Sequence, residues 1–183
     1  DSLYVLGISA FYHDSAASLI KDGEIIAAVQ EERFSRIKND RRFPVSSINY
    51  CLEKANIQQH DLSAIVYYDN AYLTFERMLW SSAKTAPNSE ETWERSLPSW
   101  IQYKLSLPRL IRKELKYKGK ILHNFHHRSH FASAFFPSPF EKAAILTVDG
   151  VGEWATASIG VGEGNKLRMV KEMNFPNSLG LFY

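Results

Sequence analysis

The chain opens with a short, β-branched apolar run from Leu3 to Ile8, which predicts a buried strand, and continues into a polar loop from Ser9 to Ser15. Ala16–Ile20 and Glu24–Val29 read as two more strands, and Asp22-Gly23 between them is the signature of a tight hairpin. Pro44 in the first turn, Ser46 or Ser47 near the cap, and Ile48, Cys51, Leu52 and Ala55 at helical spacing predict a helix ending near Asn56. Ala64–Tyr68 is a fourth strand. From about Ala71 to Tyr117 the chain is polar and broken by Pro87, Pro98 and Pro108, and reads as two or three helices or an insertion. Within it Ile101, Leu105, Leu110, Ile111 and Leu115 form an amphipathic stripe suited to core packing. Lys120–Phe125 is a fifth strand, and it runs into a helical stretch from His126 to Phe136 that stops before Pro137. Ala143–Val148, a turn at Asp149-Gly150-Val151-Gly152, and Ala155–Val161 then repeat the opening scheme of strand, loop, strand.

One scheme used twice predicts two similar lobes. Antiparallel strands, a helix and a further strand, followed by the same start again, fit an α/β fold. The architecture is that of actin, the sugar kinases and the Hsp70-like ATPases (ribonuclease H-like), with a mixed five-stranded sheet in the first lobe. On this reading residues 1–140 are the first lobe, with a helical insertion over 71–117, and residues 141–183 begin a second lobe that is cut short. A chain of 183 residues, 45% of them hydrophobic, can bury one core, or one layer and the start of another. Its start at Asp1 and its end in the apolar run Asn177–Tyr183 read as those of a piece excised from a longer protein.

Charge narrows the class. Against 20 Asp and Glu stand 22 Lys and Arg, interspersed, for a net charge of +2, which does not predict a nucleic-acid surface. The single cysteine, Cys51, sits in the helical pattern and reads as a packed core thiol in a reducing compartment. No apolar stretch approaches the roughly 20 residues of a membrane span, and no signal peptide opens the chain. A soluble, cytoplasmic protein is expected; a homodimer stays open.

The candidate chemistry follows the repeated loops. His126 and His130 are one helical turn apart, so one face can present both imidazoles to a single ion, whereas His127 points elsewhere. Surface or structural histidines are the competing reading. Asp149, in the turn after a buried strand, favours the ion, because two imidazoles and a carboxylate suit a first-row divalent metal, iron first, with zinc or manganese tolerated. In the first loop, Ser15 and the backbone amides can meet phosphate oxygens, and His13 beside Asp14 can carry a proton; an ordinary hairpin loop is the alternative. The run Glu31–Lys38 is either a solvated face or a source of two cations, Arg36 and Lys38, for a phosphate or another anionic oxygen. Gly150 and Gly152 allow close backbone approach to a ligand, but the spacing is neither that of a Rossmann turn nor that of a Walker loop.

Four stretches together resemble the NodU/CmcH-type O-carbamoyltransferases: Leu6–Ala17, Gln30–Lys38, His126–Phe140 and Thr147–Thr156. The histidine block with its Pro137-Ser138-Pro139-Phe140 tail is the most specific of them, and the region from Ala71 to Lys116 carries little of the pattern. The resemblance implies an ATP-dependent enzyme in which a second domain makes carbamoyl adenylate from carbamoyl phosphate and ATP. The first domain then passes the carbamoyl group to a hydroxyl of a small-molecule or sugar acceptor. It also implies that His126, His130 and Asp149 are metal ligands, with a further aspartate beyond Tyr183, that His13 lies near the acceptor hydroxyl, and that Lys38 lies near carbamoyl or phosphate oxygens. The opening strand departs from the wider superfamily, ending in Gly7-Ile8-Ser9 where an Asp-x-Gly start is usual. The alternatives are the neighbouring branch of ATPases that make threonylcarbamoyladenosine on tRNA, and a non-catalytic binding lobe. The isolated piece is expected to be inactive.

Overall fold

The computed structural model describes residues 2–88, 91, 94, 97, 98, 100 and 104–183. The chain divides into two compact units, Asp1–Tyr68 with Arg95–His123, and Asp69–Glu94 with Asn124–Tyr183.

In the first unit β1 (Tyr4–Ser9), β2 (Ala16–Lys21) and β3 (Glu24–Gln30) form an antiparallel set. Then β4 (Ala64–Tyr67) and β5 (Lys120–His123) add in parallel beyond β1, giving the five-stranded order β3-β2-β1-β4-β5. This is the mixed α/β sheet expected of the first lobe. The hairpin closes through Asp22 and Gly23 at φ 52° and 93°, the left-handed pair that a two-residue turn requires, and the Asp22 carboxylate accepts from the Leu3 amide at 2.7 Å. A short helix α1 (Glu32–Ser35) follows β3, and α2 (Val45–Ala55) packs against β2 and β3.

The start of α2 differs from the expectation. Pro44 occupies the cap position and neither serine caps with its side chain. Glu31 does so from a distance: its carboxylate accepts from the amides of Ser46 and Ser47 at 3.1 and 2.8 Å and from the Ser47 hydroxyl at 2.7 Å. A buried carboxylate on helix amides that have no intrahelical partner satisfies both groups. Glu31 of the charged run 31–38 is therefore interior, Glu32 and Ser35 are half-buried, and the others, including Arg36 and Lys38, are exposed.

The helix α3 (Ala71–Thr85) belongs to the second unit, whereas α4 (Leu107–Leu115) returns to the first, with Leu107, Ile111 and Leu115 buried and Leu105 and Leu110 half-buried. Ile101 of the expected stripe lies outside the described residues. Cys51 is fully buried beside Leu6, Leu19 and Ile65, and burial pushes its thiol up to about 11, as befits an inert core residue.

In the second unit β6 (Lys142–Val148), β7 (Ala155–Glu163) and β8 (Lys166–Asn174) form an antiparallel sheet, and α5 (His126–Phe135) packs across all three. The lobe boundary expected near Glu141 therefore divides the chain differently from these units, since α5 lies upstream of it. Phe131, Phe135 and Ile145 make the core. A Cβ at Gly160 or Gly162 would run into the Phe131 or Phe135 ring, so the bare strand backbone is what admits the two aromatics. A short helix α6 (Leu179–Phe182) follows, started by Ser178, whose hydroxyl accepts from the Leu181 amide at 3.1 Å. Among the described residues no helix is long and apolar enough to cross a membrane.

Candidate metal centre

The helix α5 begins at His126 immediately after β5 and Phe125, a residue without a side chain able to cap. Its first two turns project His126 and His130 to one side, where Asp149, the first residue after β6, meets them. His126 Nε2 lies 2.6 Å from Asp149 Oδ2, and His130 Nε2 lies 3.0 Å from His126 Nε2 and 3.6 Å from the same carboxylate oxygen. One donor atom from each residue falls within 4.8 Å of the other two. The predicted triad is thus a real cluster. His126 is the most enclosed, with 18% of its side chain exposed, against 30% for Asp149 and 49% for His130, so the cluster opens on the His130 side.

Electrostatics follow from this packing. Burial works against charge on His126, but the Asp149 carboxylate, with Glu153 and Asp69, outweighs it and lifts the imidazole above its ordinary pKa. Hydrogen bonds from His126 and then His130 hold Asp149 well below the usual carboxylate range. Converging lone pairs of two imidazoles and a carboxylate need a positive charge between them, either a proton or a cation, and this donor set is of the kind that can hold a divalent ion.

The loop after β6 keeps Asp149 in place. The Gly150 amide donates to Asp149 Oδ1 at 2.6 Å, and the Ser178 hydroxyl contacts the carbonyls of Asp149 and Gly150 at 3.2 and 2.7 Å. At Gly152 a Cβ would press on Cβ and Cδ2 of His126, each at 3.1 Å, so a side chain there would displace the ring. Gly152 therefore serves close packing beside the cluster, whereas a Cβ at Gly150 would meet Leu181 at an ordinary 3.5 Å and that residue acts through its amide.

His127, the weaker candidate, is buried in the unit's interior. Its Nδ1 lies 2.6 Å from the Ser158 hydroxyl and 3.0 Å from that of Thr147, on β7 and β6. Burial, together with the nearby His126 and His130, pushes it down to about 4, so it stays neutral and acts as a polar pin between α5 and the sheet.

The remaining predicted residues belong to the first unit. His13 is exposed in the β1–β2 loop, with Nδ1 2.7 Å from Asp14 Oδ2. The Ser15 amide donates to the Asp40 carbonyl at 2.7 Å and its hydroxyl is fully buried with no hydrogen-bond partner, so neither group faces solvent. Arg36 ends α1 in the left-handed conformation at φ 59°.

Glu153 of the second unit is a residue that the sequence does not single out. Glu153 is 5% exposed, and its carboxylate accepts from the backbone amides of His126, at 2.9 and 3.1 Å, and of Asn70, at 2.8 Å. Its partners are backbone groups, which leave no trace in residue spacing.

A profile described as Carbamoyltransferase N-terminus matches residues 4–183. An uncharacterized Synechocystis protein, sll1178, is 50% identical over 98% of the chain and 31% of its own length. Nodulation protein NolNO of Sinorhizobium fredii is 39% identical over 96% of the chain and 25% of its length. The uncharacterized protein MJ1051 of Methanocaldococcus jannaschii is 28% identical over 93% of the chain and 27% of its length. The chain thus spans about a third or less of these relatives. Among solved structures, YeaZ from Pseudomonas aeruginosa aligns with a TM-score of 0.47 at 10% identity, covering 95% of this chain and 68% of that one.

Proposed function

The chain belongs to the carbamoyltransferase N-terminal family, and on that premise we propose that it is the N-terminal portion of an ATP-dependent O-carbamoyltransferase. The carbamoyl group passes from carbamoyl adenylate, made from carbamoyl phosphate and ATP, to a hydroxyl of a small-molecule or sugar acceptor. The observation that carries this reading is the convergence of His126, His130 and Asp149 within 4.8 Å on a chain of this family. Two imidazoles and one carboxylate would hold a divalent ion, iron in first place and zinc or manganese as substitutes. Bound there, such an ion supplies a Lewis acid for the carbamoyl carbonyl.

The chain's own residues supply the rest. Asp149 fixes the tilt of the His126 ring and brings negative charge to the centre. His13 takes the proton of the attacking hydroxyl: with Nδ1 held by Asp14, its Nε2 is left as the base. Arg36 and Lys38 are exposed cations available to phosphate and carbamoyl oxygens.

The test is an assay of the full-length protein with ATP, carbamoyl phosphate and a panel of hydroxyl acceptors, following carbamoylated product by mass spectrometry. Turnover that depends on both ATP and carbamoyl phosphate is expected. Wild-type turnover in the H126A/H130A protein would remove the metal centre from the reaction.

A further inference from the structure

Asp149 and Glu153 stand four residues apart in one loop and grip opposite ends of the same histidine. Asp149 meets the His126 imidazole at 2.6 Å, and Glu153 takes its main-chain amide with both carboxylate oxygens. His126 is the first residue of α5, where the first amides have no intrahelical partners, and Phe125 before it has no side-chain oxygen to offer them. The cap is therefore foreign to the helix. The same Glu153 carboxylate accepts from Asn70, the cap residue of α3, while its carbonyl accepts from Arg77 Nε of α3 at 2.6 Å. One buried side chain thus joins the starts of two helices to the loop that carries Asp149.

We propose that Glu153 is a positioning residue for the metal centre: by fixing the His126 backbone it sets where the imidazole can point. The proposal rests on the metal reading of His126, His130 and Asp149. Geometry gives the reason. A ring held only at Nε2 can swing about its own side-chain torsions, whereas a ring whose Cα is also pinned has one approach to the carboxylate. A neutral amide replaces this carboxylate poorly: Oε1 accepts from both Asn70 and His126, but in a glutamine the side-chain NH2 would stand in place of Oε2 and face the His126 N–H, and the charge on the helix amides would be lost.

The experiment uses full-length protein carrying E153Q or E153D, titrated with cobalt(II) and followed by visible absorption, with hydrogen exchange of the peptide spanning residues 124–128 measured without metal. E153Q is expected to bind cobalt about 10- to 100-fold more weakly with an altered absorption envelope, and to exchange faster over that peptide. E153D, which keeps the charge on a shorter stem, is expected to fall between E153Q and wild type, and it decides the matter if E153Q does not fold. Wild-type cobalt affinity and spectrum in a folded E153Q, or in E153D alone if E153Q is lost, would overturn the positioning role and leave the metal reading standing. Failure of the wild-type protein to take up cobalt would overturn both.

Discussion

The β1–β2 loop of the first unit and the β6–β7 loop of the second occupy the same place in a repeated strand, loop, strand scheme, yet they use their side chains differently. In the first, main-chain groups hold the loop: the amides of Phe11 and Ser15 donate to the carbonyls of Arg41 and Asp40, and His13 and Asp14 bond to each other. In the second, main-chain bonds from Asp149 and Gly152 to the carbonyls of Thr156 and Ala155 are joined by side chains, with Asp149 and Glu153 reaching back to α5. A loop secured by its backbone leaves its side chains free to change function, whereas one secured by its carboxylates has spent them on a fixed geometry. The first loop is thereby suited to meeting a variable partner and the second to holding a constant one.

The largest test of that contrast removes the constant site. H126A/H130A is expected to lower metal affinity by more than about 100-fold, as read by elemental analysis after dialysis. H13A should leave metal content unchanged and reduce turnover by about 100-fold. Equal metal loss in H13A would break the separation between the loops.

Next in size is the capping carboxylate of the first unit. E31A is expected to cost about 2 kcal/mol in chemical denaturation, because it strips the cap from α2 and leaves the Ser46 and Ser47 amides without it. Burial would raise the pKa of Glu31, but its bonds from Ser47 and Ser46 outweigh this and hold it below the ordinary 4.5. Its contribution is therefore complete above pH 4.5 and is lost as pH falls through the folded value. The acid-induced loss of stability should be smaller in E31Q than in wild type; an identical pH profile would exclude Glu31 as its source.

G152A should weaken metal binding by about 10-fold by pressing on the His126 ring, with a stability cost of about 1 kcal/mol. Unchanged affinity would show that the ring can give way. The smallest effect is expected from S15A, within about 0.5 kcal/mol of wild type in denaturant melts, because its buried hydroxyl has no partner to lose. A larger loss would mean that the hydroxyl is bonded in solution.

Much of this is legible in the sequence. The strands β1 to β7 follow from apolar runs bounded by turn residues, and the Asp22-Gly23 hairpin from the chemistry of positive φ. The histidine pair followed from the helical period and Asp149 from its place after a strand. What escaped detection shares one cause: it depends on partners distant in sequence or on the backbone. In β8 Leu167 and Met169 pack half-buried against the core that α5 covers, and a register shift between Ile159 and Gly160 disturbs the alternation of its neighbour. Glu31 and Glu153 look like surface acids because their partners are amides 15 and 27 residues away. His127 reads as a spare histidine until Ser158 and Thr147 are seen beside it.

The glycines at 160 and 162 bear on how such a protein can evolve. They act as two notches on β7 into which the rings of Phe131 and Phe135 fit, so the histidine helix is indexed to a strand that lies about thirty residues downstream. Sliding α5 by one turn could seat at most one ring and would break up the imidazole pair beside Asp149. A lineage that enlarges either glycine must trim the opposing phenylalanine in step, and these pairs should therefore drift together or not at all.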